Sequence, residues 1–208
     1  GSFDANGVSQ AYAWWYNSEP FDMGTTIAQA LSHVPLDRKF KDMSAELSRN
    51  NANRESQANG AMMRISPLGV FGTNASLDQV TRWARDDASL THPHPICQDA
   101  NALFSMAIAF GIKEGPAVEE LYQQILLWAK ALNVNSNLQQ VIVAAADNPP
   151  EDYSLHQGWI LIAFQNALHQ LLHAESLEAG VVNTVRRGGD TDTNAAICGA
   201  LLGSVHGR

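Results

Sequence analysis

The sequence predicts an all-α protein, and three observations carry that prediction. Apolar residues recur at helical spacing along almost the whole chain, and no convincing run alternates with a period of two. Helix start and stop signals punctuate the chain at intervals that suit helices of two to five turns. The stretch "GWILIAFQNALHQLLHA", residues 158–174, is apolar on most faces, as expected of a helix in the centre of a bundle. With 208 residues the chain fits a single domain, 1–208, large enough to bury a sizeable core.

Taken in order, a first amphipathic helix is expected near Val8 to Tyr16, and a second near Thr26 to His33 is ended by Pro35, because the residue before a proline is driven out of the helical region. Residues 37–57 are polar and rich in Asn, Ser and Arg, which reads as a long loop, a kind of segment often tied to function. Ser76 and Gln79 have capping-box spacing, and Leu77, Val80 and Trp83 or Ala84 then recur on one face, so a helix begins there and stops before "THPHP". Further helices are expected from Ile96 to Ile112, from Ala117 to Leu132 entered through Pro116, and from Leu138 to Ala146 stopped by Pro149. The central helix follows, then a final pair at Leu177 to Val185 and Asp192 to His206.

Composition narrows the function. Hydrophobic residues make up 45% and charged residues 16%, a globular balance and not that of a disordered chain. A net charge of −8, with only 13 Lys and Arg spread along the chain, argues against a nucleic-acid surface and suits a cationic partner or a divalent metal. Cys97 and Cys198 both fall inside apolar helical patterns and read as buried thiols, so a reducing, cytoplasmic location is expected. No run of residues is long and apolar enough for a membrane span, so no membrane partner is expected.

The stretch "RRGGDTDTNAAICGALLGSVHG" stands out. After a double glycine come Asp190, Thr191, Asp192 and Thr193, and then a slim helix built largely of Ala, Gly and Leu. An Asp or Thr ahead of a helix is a common N-cap. One cap needs one such residue, whereas Asp190, Asp192 and the hydroxyl of Thr193 together form a cluster of hard oxygen donors suited to Mg²⁺, Mn²⁺ or Ca²⁺. Spacing alone leaves capping and metal binding both open.

Five blocks in this order, "YNSEPFDMG", "NGAMMRISPLG", "THPHPICQDA", "GWILIAFQNAL" and "GGDTDTNAAICGALLGSVHG", span nearly the whole chain, which resembles the ADP-ribosylglycohydrolase family. The resemblance implies an orthogonal multi-helix bundle that holds two Mg²⁺ ions, or Mn²⁺ in some members. It also implies hydrolysis of the glycosidic bond joining ADP-ribose to a protein side chain or small molecule. Carried over by motif, Asp190, Asp192 and Thr193 become metal ligands, with Asp190 and Asp192 in the catalytic role. Asn59 and Gly60 begin a loop lining the ribose and diphosphate pocket, and His92 lies close to the ligand. Trp159 follows Gly158 where relatives often carry Tyr, so it reads either as an adenine-stacking ring or as a core residue. The alternative functions are an inactive ADP-ribose-binding module and an interaction protein that blocks an ADP-ribosylating toxin through loop 37–57.

Family members usually carry a Thr-Asp-Asp run near their start that supplies the other half of the metal site, and this sequence contains none. The expectation is therefore a domain lacking its N-terminal portion, with a missing segment or a second chain completing the site. Asp86 and Asp87 read as solvated surface, Arg64 as a partner of either a phosphate or a core carboxylate, and His94, His156, His169 and His173 as structural.

Overall fold

The structure, a computed structural model, describes residues 2–207. Its regular elements are helices: α1 (Ala5–Tyr16), α2 (Thr25–Leu31), α3 (Ser44–Asn51), α4 (Ser66–Phe71), α5 (Leu77–Ser89), α6 (Pro95–Glu114), α7 (Val118–Ala131), α8 (Ser136–Ala144), α9 (Ile160–His173), α10 (Leu177–Arg186) and α11 (Thr191–His206). Short 3₁₀ turns at Arg38–Met43, Asn59–Arg64 and Gly72–Asn74 join them, and no strand occurs among the described residues. The all-α prediction holds. No described helix is long and apolar enough to cross a membrane.

Local chemistry sets most boundaries. Asp4 caps α1 by accepting from the Gly7 N–H at 3.0 Å, so that helix starts before the expected Val8. Ser76 and Gln79 complete the predicted capping box at the start of α5. His94 caps α6 through Nδ1, which accepts from the Ile96 N–H at 3.2 Å, and Pro95 then occupies the first turn.

The core is formed chiefly by α6 and α9, packed against α7, α8 and α11 around Phe104, Phe164, Leu103, Leu168 and Leu201. α9 is central, as its sequence predicts, and α6 shares that position: Ala100 to Ala109 of α6 are all buried. The slim face of α11 lets helices approach closely, and a side chain added at Gly199 would lie 3.2 Å from Val181 of α10. His169 and His173 are structural, tying α9 to the carbonyls of Ala145 and Ala146 at the end of α8.

Two expectations need correction. The segment 37–57 is not a long loop: it holds a 3₁₀ turn and α3, whose buried face is Ser44, Ala45 and Ser48. Those small residues suit close packing against α1, with Ser9 Oγ donating to the Ser44 carbonyl at 2.9 Å and Ser48 Oγ to the Leu90 carbonyl at 2.7 Å. Polar composition hid the helix because Leu47, packed against the Ala13, Ile27, Leu31 and Val34 cluster, is its one large apolar residue and makes no periodic stripe.

The second correction concerns Asp87. Asp86 is surface, paired with Arg49 at 3.3 Å, but Asp87 is 3% exposed and meets Arg64 Nη2 at 3.1 Å. The Tyr12 hydroxyl donates to its other oxygen at 2.7 Å, and the Arg64 guanidinium lies 4.3 Å from the centre of the Tyr12 ring. A buried carboxylate is tolerated because charge and hydrogen bonds surround it. Of the two partners the sequence offered Arg64, the core carboxylate is the one it takes.

Candidate active site

Three chain segments far apart in sequence meet at one cleft. Gln57 to Asn59 runs antiparallel to Gly158 to Ile160, with the Asn59 N–H donating to the Gly158 carbonyl and the Ile160 N–H to the Gln57 carbonyl, each at 2.9 Å. The third segment is the 188–193 turn. Gly188 and Gly189 have φ of 77° and 71°, the left-handed region that costs glycine little. A Cβ at Gly189 would overlap the carbonyl oxygen of Tyr153, so this position demands glycine for space as well as for conformation. The turn sets Asp190 at the head of α11.

Asn59, buried at the cleft wall, links the segments. Its Nδ2 donates to Asp190 Oδ2 at 2.8 Å and to Asn194 Oδ1 at 3.3 Å. Capping does not consume the acids, since Asp190 sits at the N-cap of α11 without a side-chain capping bond. Among the described residues Asp192 makes neither a hydrogen bond nor an ion pair, and it is exposed to the cleft. The Thr193 hydroxyl has only the sulfur of Met63, 3.9 Å away. With Asp190 Oδ2 held by Asn59, the oxygens left available are Asp190 Oδ1, the Asp192 carboxylate and the Thr193 hydroxyl, hard donors of a kind that suits a small divalent cation. Two carboxylates and a hydroxyl fill only part of such an ion's shell, and no group of three or more His, Cys, Asp or Glu side chains gathers among the described residues.

The cleft has a volume of about 670 Å³ and is lined by Asn59, Gly60, His92, Asp190, Asp192 and Thr193, together with Trp15 and the 22–27 segment. Asp192, Thr193 and Met63 also border a second, more apolar recess of about 510 Å³ between α1 and α11, where Tyr12, Leu31 and Ala196 lie. Six of the seven sequence-predicted site residues therefore face one cleft. Trp159 lines a neighbouring groove with Glu55 and His156, and that groove shares Ala58, Gln157 and Gly158 with the cleft. Its Nε1 donates to Gln57 Oε1 at 3.0 Å, and part of its ring packs against the main core.

His92 is fully buried beneath Gly60. Burial and then the nearby Arg64 charge push its pKa down to about 3, so the ring is neutral at physiological pH. Its Nδ1 lies 2.8 Å from Thr91 Oγ1, whereas Nε2 has no partner. The sequence carries no signal for Thr91 beside it or for the Arg64, Asp87 and Tyr12 cluster behind Thr91, because those contacts exist only once α1, α5 and the 59–64 turn are packed.

The family model described as ADP-ribosylglycohydrolase matches residues 1–208. The chain is 26% identical over 226 residues to a putative ADP-ribosyl glycohydrolase of Acanthamoeba polyphaga mimivirus, covering 99% of this chain and 65% of the relative. It is 26% identical to the ADP-ribosyl-[dinitrogen reductase] glycohydrolase of Rhodospirillum rubrum, covering 100% and 63%. The human ADP-ribosylhydrolase ARH3 is 23% identical, covering 99% and 66%. A solved structure titled ADP-ribosylglycohydrolase-related protein complex superposes with a TM-score of 0.79 at 22% identity, over 99% of this chain and 65% of that one. The chain thus spans about two thirds of the length of the relatives it matches. With the family match running end to end and the motif residues gathered at one cleft, the chain belongs to the ADP-ribosylglycohydrolase family.

Proposed function

We propose that the protein is a metal-dependent hydrolase that removes ADP-ribose from a modified protein side chain or small molecule by cleaving its glycosidic bond. The observation that supports this most is the set of available oxygens, Asp190 Oδ1, the Asp192 carboxylate and the Thr193 hydroxyl, on the wall of the cleft that also holds Asn59, Gly60 and His92. In this reading Mg²⁺, or Mn²⁺, is held by Asp190, Asp192 and Thr193, with remaining ligands from a further segment or from a second chain. When bound, such an ion acidifies a water and grips vicinal hydroxyls, which is the chemistry that attack on an anomeric carbon needs.

The residues of this chain do the rest. Asn59 fixes the orientation of the Asp190 carboxylate by holding Oδ2, which leaves Oδ1 directed elsewhere. As the bond to the leaving group stretches, positive charge grows on the sugar, and the carboxylates of Asp190 and Asp192 stabilise it. Gly60 permits close approach of the ligand to backbone, and N–H groups in such a loop can bind a diphosphate without a basic patch, in keeping with the acidic chain. The two buried, unpaired thiols support a cytoplasmic setting in this reading.

Calorimetry on the intact protein tests the reading: ADP-ribose should bind in the presence of Mg²⁺ and fail to bind in EDTA. Release of ADP-ribose from ADP-ribosylated protein should vanish in Asp192→Ala. Undiminished turnover in that variant overturns the assignment.

A further inference from the structure

The buried polar groups behind His92 form a relay that the reaction scheme above does not use. Arg64 Nη1 donates to Thr91 Oγ1 at 2.8 Å, and the same oxygen lies 2.8 Å from His92 Nδ1. Arg64 is itself held by Asp87, with Tyr12 on the far side of that carboxylate. Thr91 and His92 are both 0% exposed, so water does not complete their bonding.

Proton counting then distinguishes the two neutral forms of the imidazole. A guanidinium only donates, so the Thr91 oxygen accepts from Arg64 and its single hydrogen needs another acceptor. If Nδ1 is that acceptor, the ring proton sits on Nε2 and one polar group, the Nε2–H, is unmatched. If Nδ1 carries the proton instead, both the Thr91 hydroxyl hydrogen and the Nε2 lone pair are stranded in a dry site. One unmatched group costs less than two.

The unmatched group lies just behind the wall of the cleft. A Cβ at position 60 would lie 3.0 Å from Ile27 Cδ1 and 3.2 Å from both Cε1 and Nε2 of His92, so the glycine backbone alone, with no side chain, stands over that buried ring edge at the wall of the cleft. We propose that Arg64 and Thr91 are positioning residues that lock His92 in its Nε2–H form, making it a fixed neutral donor to a phosphoryl or hydroxyl oxygen of the ligand and not an acid or base in the reaction. The lock rests on the geometry of this chain, and the identity of its ligand rests on the glycohydrolase reading.

The test is ¹⁵N NMR of histidine-labelled intact protein at neutral pH, combined with calorimetric titration of ADP-ribose in the presence of Mg²⁺. Wild type and Thr91→Ser should show the His92 proton on Nε2, and its signal should move on addition of ADP-ribose. Thr91→Val, close in shape but without the hydroxyl, should lose the single tautomer and bind roughly tenfold more weakly, about the worth of one hydrogen bond to a charged oxygen. Affinity returning in Thr91→Ser separates the lock from a general packing effect. A wild-type proton on Nδ1, or a Thr91→Val protein with both tautomer and affinity unchanged, overturns the proposal. An Nε2–H signal in a wild-type protein that takes up no ADP-ribose supports the lock and counts against the glycohydrolase reading alone.

Discussion

Asn59 Nδ2 lies 2.8 Å from Asp190 Oδ2 across 131 residues of sequence, and this bond joins the 59–64 turn to the head of α11. The same amide reaches Asn194 Oδ1, so one side chain holds two residues at the start of α11 in register. Asn59→Ala should free the Asp190 carboxylate to rotate and weaken Mg²⁺ binding by about 10- to 100-fold, the usual effect of losing a group that orients a metal ligand. Calorimetric titration of Mg²⁺ into the intact protein checks this. Affinity equal to wild type shows that Asp190 needs no such support.

The double glycine separates conformation from space. Both residues are left-handed, but nothing lies within 4 Å of a Cβ at Gly188, whereas one at Gly189 meets the Tyr153 backbone. Gly188→Ala should therefore cost about 1–2 kcal/mol, the price of a left-handed alanine. Gly189→Ala should cost more, because the Tyr153 carbonyl or the turn itself must move. Urea unfolding of the two variants gives the comparison, and equal losses would show that the Tyr153 contact yields easily.

Helices announced by a capping box or an entering proline were legible in the sequence, as Ser76 with Gln79 shows for α5 and Pro116 for α7, whereas the cap that His94 gives α6 was not, because alternating His and Pro read as a stiff loop. α3 was not legible, because its buried face is made of Ser and Ala and carries no apolar stripe. The acids and threonine at 190–193 were readable as hard donors from their type and spacing. Their freedom from capping was not, since it depends on a turn geometry and on an asparagine 131 residues away. Asp87 was misread for a related reason. Adjacent acids after an arginine near a helix end look solvated, and the partner that buries this one lies 23 residues earlier, in a 3₁₀ turn.

That buried pair predicts an asymmetric response to substitution. Asp87→Ala leaves the Arg64 guanidinium without its counter-charge in a site where the side chain is only 15% exposed, and should cost about 3–5 kcal/mol. Tyr12→Phe removes one hydrogen bond to the same carboxylate while Arg64 remains in place, and should cost about 1 kcal/mol. Chemical denaturation of both variants tests the ranking. Similar losses would mean that the phenol, and not the guanidinium, is the main partner of Asp87.

The depressed His92 pKa makes stability depend on pH with a definite sign. In the unfolded chain the imidazole titrates near its ordinary 6.5, and in the fold near 3, so below pH 6.5 the unfolded state binds the extra proton. The contribution is complete above pH 6.5 and is lost progressively as pH falls from 6.5 toward 3. At about 1.4 kcal/mol per unit, stability should drop by ~2 kcal/mol between pH 6.5 and pH 5. The groups around the ring do not mask this, because Arg64 stays charged and burial beside Asp87 raises the Tyr12 phenol far above that window. His169 shifts in the same direction, chiefly through burial, but it is only partly buried and adds less. Urea unfolding at pH 7.5, 6 and 5 should show the decline in wild type and a shallower one in His92→Gln, which keeps a side-chain N–H but cannot take up a proton. A slope unchanged by that substitution would place the titrating group elsewhere.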